Sequence, residues 1–276
     1  MIKSLHLPTP SRDEPGRSRL QGAAPRAVDL RLSLVRGPGR VPLRADAAAT
    51  FAALDSSEIL DVARACADLP GSFLVGGGDP LSRGDLARLL RDLAAVRPEK
   101  LGVCIDGAGV TSAAVEELRS AGVVRLSVPF HCARRDAHDW LVGRPGALKT
   151  ALRAIRTSVD AGMPVEAEVV VTRPTMPHLA ETIDVLTRVG VRTISLRRLP
   201  AGDVEPHEIV LLAPRLSLLA DDLERAATIA LQRRVRLVIR DFPLCVAPRL
   251  QRLFARTDAE VWLTADRPAS STGPGR

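Results

Sequence analysis

The 276-residue chain contains no tyrosine, and aromatic residues make up only 3% of it. Any core must therefore be assembled from Leu, Val, Ile and Ala. The interleaved Phe and Tyr of a base-stacking nucleic-acid surface are missing. Lysine is nearly as scarce, occurring only at Lys3, Lys100 and Lys149. The net charge of +7 and the pI near 10.2 are thus almost entirely arginine. The arginines are dispersed rather than gathered in a stripe, and Ala, Gly and Pro are abundant. This reads as composition bias and argues against a specific nucleic-acid partner. Cysteine is limited to Cys66, Cys104, Cys132 and Cys245, with no two in a CxxC element. No run of about 18 apolar residues is present, so no membrane span is expected. Met1–Leu7 is too short and polar for a secretory signal, which makes a cytoplasmic setting with reduced thiols the expectation. A P-loop, a nucleophile elbow, HExxH and GxGxxG are all missing as well.

What is there is strand–helix alternation. Residues 1–27 are rich in Pro, Ser, Arg and Gly without periodicity and are expected to be disordered, as are residues 265–276. Between them, Val28–Val35 alternates like a strand, Ser57–Ala67 is helical in pattern, and Gly71–Val75 is a strand ending in Gly76, Gly77 and Gly78. Ser82 is placed to cap a helix, with Asp85 at the capping-box position and Leu86, Leu89, Leu90 and Leu93 as its stripe. Leu101–Ile105 and Thr111–Ser120 continue the alternation. Three helices then run through a glycine straight into a strand, at Gly122, Gly162 and Gly190, each suited to the left-handed position after a helix. Repeated βα units of this kind predict a right-handed parallel sheet. The strands are short and apolar, as for a sheet covered on both faces. The reading is α/β: a partial parallel (β/α)6 barrel over 28–200. A helix–strand extension over 201–264 follows, containing a helix near Pro214–Arg233 and a strand at Val235–Ile239.

Ligands of such folds sit at the carboxyl ends of the strands. After the second strand, GGGDPLSRGDL offers free backbone amides at Gly77 and Gly78. Asp79 there is either an acceptor for an ammonium group or a solvated turn residue. The loop after the fourth strand, VPFHCARRDAHDWLVGRPGAL, holds His131, Cys132, His138 and Asp139 at spacings that match no standard zinc site. On the fifth strand Glu166 and Glu168 share a face. Facing inward, they would need a cation or a hydrogen-bonding ligand; the alternative is an outward face near the rim.

These pieces, in this order, resemble the core of the radical SAM superfamily, in particular its peptide- and natural-product-modifying branch. GGGDPLSRGDL is similar to GGEPLL-x-x-DL, which holds the amino group of S-adenosylmethionine. VCIDGAGVT at Val103–Thr111 is similar to STNG-x-x-x-T. His138–Ile155 resembles HD-x-x-x-G-x-x-G-x-x-x-x-x-x-x-AI, Val169–Leu199 resembles the fifth and sixth units, and Phe242–Pro248 a segment beyond the core. The resemblance implies a cofactor-binding set of Gly77, Gly78, Asp79, Ser127, Glu168 and Arg173. It also implies a [4Fe–4S] cluster on CxxxCxxC after the first strand. Here that loop is VRGPGRVPLRADA, with Pro38, Pro42 and Ala45 at the three cysteine positions and no cysteine before Cys66. Cluster iron needs thiolates.

The expectation is therefore a degenerate member without a [4Fe–4S] cluster, with S-adenosylmethionine bound weakly if at all. It would act as a binding or partner subunit for a protein or peptide in a biosynthetic system. Arg36, Arg40 and Arg44 make the first loop a docking candidate for an acidic segment. The rival readings are an enzyme doing non-radical chemistry with S-adenosylmethionine or a nucleotide, and an enzyme using another cofactor in the same barrel.

Overall fold

The computed structural model describes residues 28–34, 53–68, 71–77, 79–97, 100–199, 206–255 and 260–263. The strands are β1 (Val28–Ser33), β2 (Gly71–Gly76), β3 (Leu101–Cys104), β4 (Arg125–Pro129), β5 (Val165–Val171), β6 (Thr193–Arg198), β7 (Arg236–Arg240) and β8 (Glu260–Leu263). The helices are α1 (Ser56–Ala65), α2 (Leu86–Val96), α3 (Ser112–Ser120), α4 (Arg135–Val142), α5 (Ala147–Asp160), α6 (Leu179–Arg188), α7 (Pro206–Leu212) and α8 (Leu219–Gln232). All strand pairs are parallel, in the order β7-β6-β5-β4-β3-β2-β1-β8. The first six strands are the partial barrel the repeats predicted. The C-terminal extension lengthens the sheet at both edges, β7 beside β6 and β8 beside β1.

One face of strands β2 to β7 packs on the helices. Phe73 and Val75, Leu101 and Val103, Leu126 and Val128, Ala167 and Val169, and Ile194 and Leu196 join Leu89, Leu90, Leu93, Ile155, Ile183 and Leu186 in one core. The helical stripes read from the 3.6-residue period are the buried ones. The expectation that the strands are apolar on both faces does not hold. Arg125, Ser127, Glu166, Thr193, Arg236 and Arg240 share the opposite, concave face, because strand side chains alternate.

Three local differences have simple causes. Asp85, not Ser82, stands before α2; Ser82 lies in a 3₁₀ turn and donates to the Asp79 carbonyl. The Asp85 carboxylate instead binds Ser56 Oγ and the Arg83 guanidinium, tying the turn to the start of α1. The long loop after β4 contains α4, and β8 was not foreseen. Both are short segments whose place is set by packing or pairing rather than by periodicity. The tails 1–27 and 265–276 and the loop Arg36–Ala47 lie outside the described residues. Among those described, no helix is long and apolar enough to cross a membrane.

The glycine junctions are steric necessities. Gly122 has φ +92°, and a Cβ there would stand 2.6 Å from Ala94 Cβ. Gly122→Ala should cost about 2–4 kcal/mol, the sum of left-handed strain and overpacking, measured by urea denaturation. Adding Ala94→Gly should recover the overpacking part only. Full recovery would show that the backbone angle is not a constraint.

Candidate functional site

The carboxyl ends of β5, β6 and β7 carry a charge cluster centred on the buried Arg197, with Asp241 at its exposed rim. Arg197 on β6 donates through Nη1 to Glu168 Oε1 at 2.8 Å, and through Nε and Nη2 to Asp241 Oδ2 at 3.2 and 2.9 Å. The Arg197 side chain is 6% exposed and that of Glu168 13%. Glu168 therefore faces inward, and its cation is supplied by the next strand. Arg240, level with Arg197 at the end of β7, donates to Ser195 Oγ at 2.9 Å and stands 3.9 Å from Glu166, one layer below. The strand register sets these layers: Glu166 is level with Ser127 and Thr193, and Glu168 with Pro129 and Ser195. Ser127 is 1% exposed, and its Oγ has no hydrogen-bond partner. Such an orphan carries a desolvation penalty that a bound polar group would remove.

The predicted binding set is only partly brought together. Ser127 and Glu168 share the concave face on neighbouring strands. Gly77 is buried at the end of β2 with φ +94°, and Gly78 lies outside the described residues. Asp79 is exposed, and its Oδ1 accepts from the Leu81 amide at 3.1 Å, closing the turn. Partial desolvation and the nearby Asp106 carboxylate raise its carboxyl above the usual range. Asp106 is itself paired with Arg144 at 2.8 Å. Arg173 is exposed beyond β5, where its amide donates to the Leu212 carbonyl, away from the charge cluster. Sequence reading missed Arg197, Asp241, Arg125, Arg236 and Arg240. The signal was present in TISLRR, where polar residues recur at every second position, and in RLVIR, whose two arginines lie four residues apart on one face.

The histidine loop is architectural. His138 Nδ1 accepts from the amides of His131 and Cys132, and His131 Nδ1 accepts from the Val170 amide. Burial pushes His131 down to about 3 and His138 to about 4, so both are neutral. Asp139 accepts from the amides of Gly146 and Leu148 at 2.7 and 2.8 Å, fixing the start of α5. Burial alone would raise its carboxyl; those two amides outweigh it and hold the group below the usual range. The HD pair thus organises two helices.

The four thiols do not converge. Cys66 caps α1 at the amino end of the sheet, where Arg97 ties its carbonyl to that of Gly71. Cys104 ends β3, level with Ser127. Cys132 is fully buried beside Thr182 of α6, and burial raises its thiol. Cys245 is exposed after β7. Among the described residues no three His, Cys, Asp or Glu side chains are grouped so as to hold a metal ion. These thiols do not fit a [4Fe–4S] cluster, which takes converging thiolates. The buried Ser127 hydroxyl does fit a polar organic ligand at the strand ends.

Comparison with known proteins places the chain. The radical SAM superfamily model matches residues 49–195. The chain belongs to the radical SAM superfamily. Similar curated proteins include the AdoMet-dependent heme synthase of Methanosarcina barkeri, 29% identical over 118 residues, 43% of this chain and 34% of that one. They also include the GTP 3',8-cyclase of Moorella thermoacetica, 30% identical over 119 residues, 42% and 36% of the two chains. Among solved structures, SuiB of Streptococcus suis bound to precursor peptide SuiA superposes with a TM-score of 0.61 at 14% identity. That match covers 82% of this chain and 51% of SuiB, and it shows a shared fold. The chain spans about a third of the length of the curated relatives it matches.

Two tests follow from the geometry. Arg197→Met leaves Glu168 buried without its guanidinium partner and should cost about 3–5 kcal/mol in urea denaturation. Adding Glu168→Gln should return part of that, and a loss below about 1 kcal/mol would deny the cluster its role. The second test is pH. His131 and His138 stay neutral when folded but take up protons when unfolded as pH falls below about 6.5. Stability is therefore present above that value and lost as pH falls toward the folded values. Between about pH 7.5 and about pH 5.5 the loss should be about 2–3 kcal/mol. His138→Gln should roughly halve it, and an unchanged pH slope in that variant would contradict the assignment.

Proposed function

We propose that this chain keeps the ligand-binding half of the radical SAM design without its radical chemistry. It would serve as a binding or partner subunit in a peptide- or natural-product-modifying system. The observation that carries this is chemical. Pro38, Pro42 and Ala45 stand at the cluster positions, and the four thiols lie at separate places in the fold. Without converging thiolates there is no cluster, and without a cluster no electron reaches a sulfonium. The superfamily as a whole uses S-adenosylmethionine, and one SuiB structure contains it. In this chain Gly77, Asp79, Ser127 and Glu168 would hold such a ligand at the strand carboxyl ends. Gly78 and Arg173 complete the set by resemblance. The precursor peptide bound to SuiB supports a peptide as the partner class. Arg36, Arg40 and Arg44 remain the proposed contact for an acidic segment of it.

A second reading has its own observation. The orphaned Ser127 hydroxyl and the Glu168–Arg197–Asp241 cluster form a prepared polar floor. An enzyme binding S-adenosylmethionine or a nucleotide and doing non-radical chemistry would use such a floor.

Anaerobic reconstitution of the purified chain with iron and sulfide should leave it colourless. A stoichiometric iron–sulfur absorbance lost on replacing Cys104 or Cys132 would overturn the proposal. Calorimetry with S-adenosylmethionine should then show weak binding, weakened further by Asp79→Ala. Tight binding indifferent to Asp79→Ala would favour the second reading, with the pocket reassigned.

A further inference from the structure

The concave face has a second, lower storey that shares only Ser127 with the ligand site at the strand ends. Below the strand carboxyl ends lies a cavity of about 230 Å³ bounded by Arg125, Glu166, Thr193 and Arg236 near the amino ends of β4, β5, β6 and β7, by Ser127 midway along β4, and by Arg240 at the end of β7. That is the share of liquid of roughly eight waters, enough for one compact solute and too small for a nucleotide. Its charge is lopsided, with three guanidinium groups around one carboxylate. In the upper storey two carboxylates meet one arginine, Glu168 and Asp241 on Arg197.

The cavity also contains unspent hydrogen-bonding capacity. Arg125 Nη2 donates to Ser72 Oγ at 2.9 Å, yet its Nε is buried with no partner. Ser127 Oγ is a second such atom. Arg236 has no acidic partner among the described residues. The backbone is shaped to admit this arrangement. A Cβ on Gly102 would lie 3.0 Å from Arg125 Cγ, 3.1 Å from its Nε and 3.1 Å from Leu74 Cδ1, so glycine is what lets the Arg125 side chain lie across β3 into the cavity. Guanidinium groups from β4 and β7, separated in the sheet by β5 and β6 but lining one cavity, form with the Ser127 hydroxyl on β4 a donor set for a compact oxyanion.

We infer that this lower cavity binds one small oxyanion, the phosphate or carboxylate group of a small metabolite, held by Arg125, Arg236, Arg240 and the Ser127 hydroxyl. The inference does not depend on S-adenosylmethionine binding above it. Ser127 borders both storeys, so it is left intact in the test, and Asp79 is remote from the cavity.

The full chain is titrated calorimetrically with inorganic phosphate and, separately, with malonate, in low-salt buffer free of both. One-to-one binding of at least one probe is expected, weakening with added sodium chloride. Arg236→Gln and Arg125→Gln should each raise Kd about tenfold or more, and Gly102→Ala should do so by displacing Arg125. Arg249→Gln, on an exposed arginine beside Glu224, should change nothing. Arg236 is exposed, so its variant should melt like the wild type and decides the matter if Arg125→Gln fails to fold. Binding of phosphate alone assigns a phosphorylated metabolite, and of malonate alone a carboxylate. No binding of either, or binding indifferent to Arg236→Gln, overturns the inference.

Discussion

A parallel sheet with buried charge on its inner face must pair that charge where it stands, because a buried ion without a partner is costly. Here Arg197 meets that constraint. It spans from Glu168 on β5 to Asp241 just past β7, joining three successive strand positions by its fork of donors. Asp241 sits at φ +64°, an unfavourable angle for a residue with a side chain, and the guanidinium is what it reaches. The extension strand β7 is thereby fastened to the barrel at its functional end. The helices contribute the opposite kind of stability, an aliphatic layer on the convex face that specifies no ligand.

The proposed loss of the cluster site therefore need not unbuild the fold. What orders the barrel mouth among the described residues is Arg197, the Asp139 amide bonds and the two neutral histidines, none of which depends on iron. The histidine loop illustrates how a family motif can be structural. His138 and Asp139 spend their acceptors on backbone amides, so this stretch persists in a chain whose cluster loop has diverged. The thiols tell the same story from the other side. Buried at Cys66 and Cys132, they behave as small apolar side chains.

Much of the architecture was legible in the sequence. Gly122, Gly162 and Gly190 marked the helix–strand junctions, and the leucine stripes of α2, α5 and α6 marked the buried faces, because both signals are local. The inner face was harder. Glu166 and Glu168 were visible as a pair, but whether they faced inward depended on cations contributed by β6 and β7, far along the chain. Arg197, Arg236 and Arg240 looked like part of a dispersed arginine background until the strand register brought them together. Helix α4 hid in a polar stretch because its N-terminal half is charged, and β8 is fixed only by pairing with β1. Asp79 and Arg173, singled out by resemblance, are exposed, while Ser127 and Glu168 are buried together.

We attribute the proposed loss of radical chemistry to the want of three thiolates in the first loop and to no larger reason. The direct test is to supply them, as Pro38→Cys, Pro42→Cys and Ala45→Cys in one chain. After anaerobic reconstitution and reduction, electron paramagnetic resonance should show a [4Fe–4S] signal in that variant and none in the wild type. A cluster signal from the wild-type chain, or silence from both, would contradict the account.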